Sequence, residues 1–213
     1  MSFRSLLVSL VFLLSAGNLQ AHPHVWIDLR VTPQLNDQGE MTALRQAWRF
    51  DPFYSLMLIE ELEKGGPAEE LEQRLDELAL EVAKNLQNFD FFTRVRAAGQ
   101  RQALAEVTEY NLMQVGRRVE FSFVLPLEQA IALQDQPLQY QVYDPSYYIE
   151  ILHVPGRGVD QEPLPATCKV DLQEPNPSSD LIEKALALDE DDVPEDPQLG
   201  EHFTETVTLD CRP

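Results

Sequence analysis

Val25-Trp26-Ile27-Asp28-Leu29-Arg30-Val31 alternates without a fault, with Val25, Ile27, Leu29 and Val31 on one side and Trp26, Asp28 and Arg30 on the other. Successive side chains of a strand point to opposite faces, so this is a half-buried strand with one wet face. Turn residues follow at Asn36-Asp37-Gln38-Gly39, and Met41 to Phe50 returns as the second strand of a hairpin, with Leu44, Trp48 and Phe50 sharing a face. At Asp51-Pro52 the period changes. An N-cap with proline in the first turn starts a helix that carries Phe53, Leu56, Met57 and Glu60 at helical spacing and ends at Gly65-Gly66. A second helix starts at Pro67, with Glu69, Glu70 and Glu72 near its positive end and one apolar stripe of Leu71, Leu75, Leu78, Val82 and Leu86.

Farther along, Phe91 to Ala97, roughly Gln102 to Leu112, and Arg117 to Leu125 read as strands, with Gly99 and Gly116 near the turns. Gln139 to Tyr143 and Tyr147 to Val154 continue the sheet across Asp144-Pro145-Ser146. Thr167 to Leu172 and Thr204 to Asp210 form a terminal strand pair beside the two cysteines. A short helix, Ser179 to Leu188, and the acidic loop 189–196 lie between them. The fold class is α+β, a mainly antiparallel sheet with two central helices packed on it. Residues 22–213 read as a single domain.

The first residues set the compartment. One basic residue, Arg4, precedes the apolar run Leu6 to Leu14, which is too short to span a bilayer, and Ala21 is a small residue suited to signal peptidase. Residues 1–21 read as a signal peptide, which implies a periplasmic protein with no membrane anchor after cleavage. With 36 acidic against 16 basic residues the net charge is −20, which excludes the basic footprint that nucleic acid requires. Metal cations and basic partners are favoured instead. Cys168 and Cys211 are the two cysteines, and an exported chain permits a disulfide between them; the alternative is a pair of buried thiols.

His22-Pro23-His24 sits at the expected mature N-terminus. Residues two apart on a strand lie about 7 Å from each other on the same side, so both imidazoles can converge on one ion. Cleavage adds the free amine of His22, as in a copper histidine brace. Such a nitrogen-rich set suits copper, nickel, cobalt or zinc. The bland reading is a polar strand edge beside the cleavage site. His153, at the end of a strand, is the favoured distant partner, ahead of His202. Asp51 and Asp144 each form an Asp-Pro corner among aromatics. The structural account is a capped turn; the functional one is a pocket near the histidines lined by Asp28, Asp51, Tyr54, Asp144 and Tyr147. Neither a nucleophile motif, nor a phosphate loop, nor an HExxH helix is present, so enzyme activity is not expected.

His22-Pro-His-Val-Trp-Ile-Asp28 after a signal peptide, Trp48-Arg-Phe-Asp51 with Tyr54-Ser55, Tyr143-Asp-Pro-Ser-Tyr-Tyr148 and the C-terminal cysteine pair, in this order, resemble the bacterial periplasmic family catalogued as domain of unknown function 1007. The resemblance spans nearly the whole mature chain. Members of that family are often encoded beside nickel/cobalt-type or other transition-metal transporters. It implies a periplasmic accessory of metal transport with an inner-membrane transporter as partner. Some relatives carry a calcium-like loop after the Tyr-Ser motif; here Glu61 to Glu70 departs from it, so calcium is not carried over. The alternative function is a non-enzymatic acidic module that docks a basic envelope partner, and a copper enzyme comes third.

Overall fold

The computed structural model describes residues 23–189 and 192–212. The signal-peptide reading and His22 therefore lie outside the described residues. The fold is α+β: the described residues form three α-helices and ten strands in two five-stranded, mostly antiparallel sheets. No helix among the described residues is long and apolar enough to cross a membrane.

Sheet A begins with β1 (Val25–Leu35) and β2 (Glu40–Phe50), a hairpin closed by Gly39 at φ 76°. Asn36 braces that turn, its side chain accepting from the amides of Gln38 and Glu40. Alternation holds through β1: Val25, Ile27, Leu29 and Val31 are buried, while Trp26, Asp28 and Arg30 are exposed. Asp51 accepts hydrogen bonds from Phe53 and Tyr54 at 2.9 Å and so starts α1 (Pro52–Lys64). A 3₁₀ turn precedes α2 (Leu71–Gln87), whose most buried residues are Leu75, Ala79 and Ala83, with Leu71, Leu78, Val82 and Leu86 packed at their margin.

Sheet B then opens with β3 (Thr93–Ala97) and the short β4 (Gln100–Arg101). The chain returns to sheet A as β5 (Tyr110–Val115) and β6 (Arg118–Ala132), crosses to sheet B as β7 (Leu138–Val142), and comes back as β8 (Ile149–His153). β9 (Lys169–Gln173), α3 (Ser179–Leu186) and β10 (Thr206–Asp210) complete it. The strand orders are β5-β6-β2-β1-β8 and β4-β3-β7-β10-β9.

Three expectations change. The segment read as a strand from Gln102 to Leu112 is irregular up to Glu109, and only Leu104 bridges, to Leu127. Asp90, Phe91 and Phe92 form a left-handed turn at φ 49–52°, so β3 starts later than the apolar run suggested. β6 extends to Ala132 through Pro126, opposite a register shift in β2. The terminal strands pair as expected, and Cys168 and Cys211 form a disulfide beside them.

The core lies between the sheets and under α2. Leu29, Val31, Leu44, Phe121, Phe123 and Leu125 of sheet A join Val95, Leu138, Tyr140, Val207 and Leu209 of sheet B in one buried cluster. Polar groups inside it are satisfied in series: the Trp48 indole donates to Gln46, Gln46 to the Thr93 hydroxyl, and that hydroxyl to the Phe91 carbonyl.

Candidate functional site

The start of β1, the end of β2, the first turn of α1 and the start of β8 meet at one end of sheet A. β8 runs parallel to β1, with Val25 opposite Ile149 and Leu29 opposite His153. The His24 amide donates to the Tyr148 carbonyl at 2.9 Å, and the His24 ring stacks on the Tyr148 ring at 5.0 Å. Asp51 joins the same end: its amide donates to the Trp26 carbonyl at 2.9 Å, and its carboxylate accepts from the Trp26 amide at 3.4 Å. Tyr54, one helical turn in, packs on Phe50. Burial raises the Tyr54 phenol above its ordinary range, and the neighbouring Tyr148 and Asp51 add to that rise. Beneath it the buried Ser55 hydroxyl receives the Val119 amide at 3.0 Å and donates to the Phe50 carbonyl, tying α1 to β6.

His24, Trp26, Asp51, Tyr54 and Tyr148 therefore form one cluster of aromatic, imidazole and carboxylate groups at the sheet end. The structure gathers only part of the set named from sequence. Asp144 is buried in its own loop, where it accepts from the Ser146 amide and hydroxyl and from the Ile149 amide; it fixes the turn that delivers Tyr148. Gly200 packs so closely under this turn that an added Cβ would sit 1.9 Å from the Asp144 carbonyl oxygen. Tyr147, at φ 60°, turns the other way, stacking on Phe203 at 4.1 Å and donating to Glu150. Asp28 lies on the open face of the sheet, paired with Arg118 at 2.6 Å. The five do not line one pocket.

His153 is also elsewhere. β8 does lie beside β1, but the register puts His153 opposite Leu29, five residues beyond His24 or about 16 Å of strand. Its side chain enters the core, where Nδ1 meets Glu205 at 2.7 Å and Nε2 meets the Tyr140 hydroxyl at 3.0 Å. His202 is exposed and bonded to Asp196 at 3.0 Å. Among the described residues no group of three or more histidine, cysteine or acidic side chains is arranged to hold a metal ion.

From sequence, Tyr148 is named only within the stretch Tyr143 to Tyr148, and Trp26 is given no part in the site. The signal for Trp26 was present: it falls on the same wet face of the alternating strand as Asp28 and Arg30, and it is 48% exposed.

The family described as "Protein of unknown function (DUF1007)" matches residues 7–211, and the chain belongs to it. The chain is also similar to an uncharacterized protein of Haemophilus influenzae, 27% identical over 193 residues that cover 90% of this chain and 91% of that one.

Proposed function

We propose that this member of the family is a periplasmic accessory protein of transition-metal transport, which takes an ion of nickel, cobalt, zinc or copper through His22 and His24 for exchange with an inner-membrane transporter. The observation that carries the reading is the placement of His24: it enters sheet A at the very start of β1, stacked on Tyr148 and beside the Asp51 and Tyr54 corner. Imidazole is a ligand that suits nickel, zinc and copper, and the neighbouring Asp51 carboxylate adds negative charge beside it. Two further properties are in keeping with it. The chain carries a net charge of −20, which attracts cations, and it holds a disulfide, which belongs to a non-cytoplasmic compartment.

Calorimetric titration with each of the four metals tests the proposal, on protein whose N-terminus begins at His22 and which carries no affinity tag. Replacing His22 and His24 with alanine should abolish tight binding, and wild-type binding should weaken as the solution is acidified, because a protonated imidazole cannot ligate. Equal affinity in the wild type and the double variant would remove the site.

A second reading, an interaction module without metal, is favoured by a separate observation. Trp26, Phe53, Leu56 and Met57 are all about half exposed or more, and they lie at or beside this same end of the sheet. Large apolar groups left in water together mark contact surfaces. Retention of partner binding by the His22/His24 double variant, with no metal bound to wild type, would select this reading.

A further inference from the structure

We propose that the open face of sheet A holds a separate ligand site, an oxyanion cleft formed by Arg30, Arg49 and Arg157 that takes one compact, doubly charged phosphate or dicarboxylate. It stands independently of the metal reading. The cleft measures about 190 Å³ and is walled by Asp28, Arg30, Arg49, Glu120, Val154 and Arg157 over a floor of Ala47.

The hollow follows from the register. Arg30 lies directly opposite Ala47, and Ala47 in turn opposite Ser122, while the next pair along the strands places Asp28 against Arg49 and Arg49 against Glu120. Two small residues between taller ones leave a depression on an otherwise level sheet face. Arg157 is brought over it by a turn. Val154-Pro155-Gly156-Arg157 closes with the Arg157 amide on the Val154 carbonyl at 3.0 Å, and Gly156 at φ 69° fills the position that requires a positive φ. The Val154 amide is held by the Leu29 carbonyl, so the turn is anchored to β1.

The charges do not cancel inside the cleft. Asp28 is neutralised from outside it by Arg118 at 2.6 Å, and Glu120 by Arg49 at 3.0 Å. Among the described residues neither Arg30 nor Arg157 has an acidic partner within ion-pair distance. Two uncompensated guanidiniums thus face one small hollow on a chain of net charge −20. A guanidinium presents paired N–H groups that match phosphate and carboxylate oxygens, and two of them balance a dianion. The volume admits a small ion and not a folded partner.

Calorimetric titration of the untagged protein with inorganic phosphate and with succinate, at constant ionic strength in chloride, tests this. One-to-one saturable binding of either ion is the expected result, and which ion binds tells a tetrahedral ligand from an extended dicarboxylate. Replacing Arg30 and Arg157 with glutamine should weaken binding at least about tenfold. Both are exposed, so the melting temperature without anion should hold. Ala47→Leu, which fills the floor without changing charge, should weaken binding as well, and Glu120→Gln should strengthen it. The His22/His24 double variant should bind the anion as wild type does. No saturable heat with either ion, or unchanged affinity in the double-glutamine and Ala47→Leu variants, would overturn the proposal, as would binding of polyglutamate with no response to the small anions.

Discussion

Glu205 receives two hydrogen bonds from His153 on one carboxylate oxygen, from the backbone amide and from ring Nδ1, both at 2.7 Å. The Tyr140 hydroxyl completes the chain on Nε2. With Glu205 a carboxylate, Nδ1 carries the proton and Nε2 accepts from the tyrosine. His153 belongs to sheet A and Tyr140 to sheet B, so the three groups fasten one sheet to the other, as the buried Gln46–Thr93 hydrogen bond does elsewhere in the interior. Removing one member strands the rest. Glu205→Ala, which leaves two buried N–H groups of His153 without an acceptor, is expected to cost about 2–5 kcal/mol and Tyr140→Phe about 1–3 kcal/mol, measured by urea denaturation. A loss well under 1 kcal/mol for Glu205→Ala would show that the pair does not hold the sheets.

The same placement separates His153 from any metal chemistry at the strand start. His153→Phe is expected to lower stability while leaving metal stoichiometry and affinity at the wild-type value, in titrations run at a temperature where the variant is folded. A clear loss of affinity in a folded His153→Phe protein would mean that it ligates after all.

Alkaline pH should weaken the fold in a defined window. Burial raises the phenols of Tyr140, Tyr143 and Tyr147, with Glu205 adding to the first and Glu150 to the third; Tyr143 is pushed up to about 12. The folded state therefore keeps protons that the unfolded chain gives up near pH 10. The stabilisation is fully present below about pH 10 and declines as pH climbs through the folded values. Denaturant midpoints between pH 9 and 12, paired with phenolate absorbance, check this, and Tyr143→Phe should flatten the fall. A flat profile would contradict the burial of these rings.

Reduction of the Cys168–Cys211 bridge should destabilise the protein by about 4 kcal/mol on the chain-entropy account for a separation of 43 residues. Unfolding midpoints with and without reductant measure it, and the Cys168→Ser/Cys211→Ser double variant should match the reduced protein. A reduced protein as stable as the oxidised one would show that the crossing strands hold the segment by themselves.

Local periodicity made some of this legible and left the rest dark for a physical reason. Alternation revealed which face of β1 is buried, and an Asp-Pro pair revealed where α1 begins, because both signals are carried by neighbours in the chain. Alternation does not say which distant strand lies alongside. That β8 runs parallel to β1, and that its register carries His153 past His24 to Leu29, depends on pairing across more than a hundred residues. The division into two sheets was hidden for the same cause, since β6 and β7 follow each other in sequence yet belong to different layers. The left-handed turn at Asp90 to Phe92 contains no glycine, and two of its three residues are phenylalanines, a type that gives no sign of such a backbone. Of the candidate site, the histidine and the Asp51 corner were readable. Tyr148 became part of it only through the strand pairing that sets its carbonyl against His24.

The bridge between the two cysteines has a bearing on damage as well as on folding. It closes a covalent ring that contains β9, α3, the acidic loop and β10. A protease that cut the chain once inside this ring would liberate no fragment, because the severed ends stay tethered through sulfur, and β10 would still be seated between β7 and β9. A single scission anywhere in this stretch is thereby one the molecule can survive, for as long as its surroundings stay oxidising.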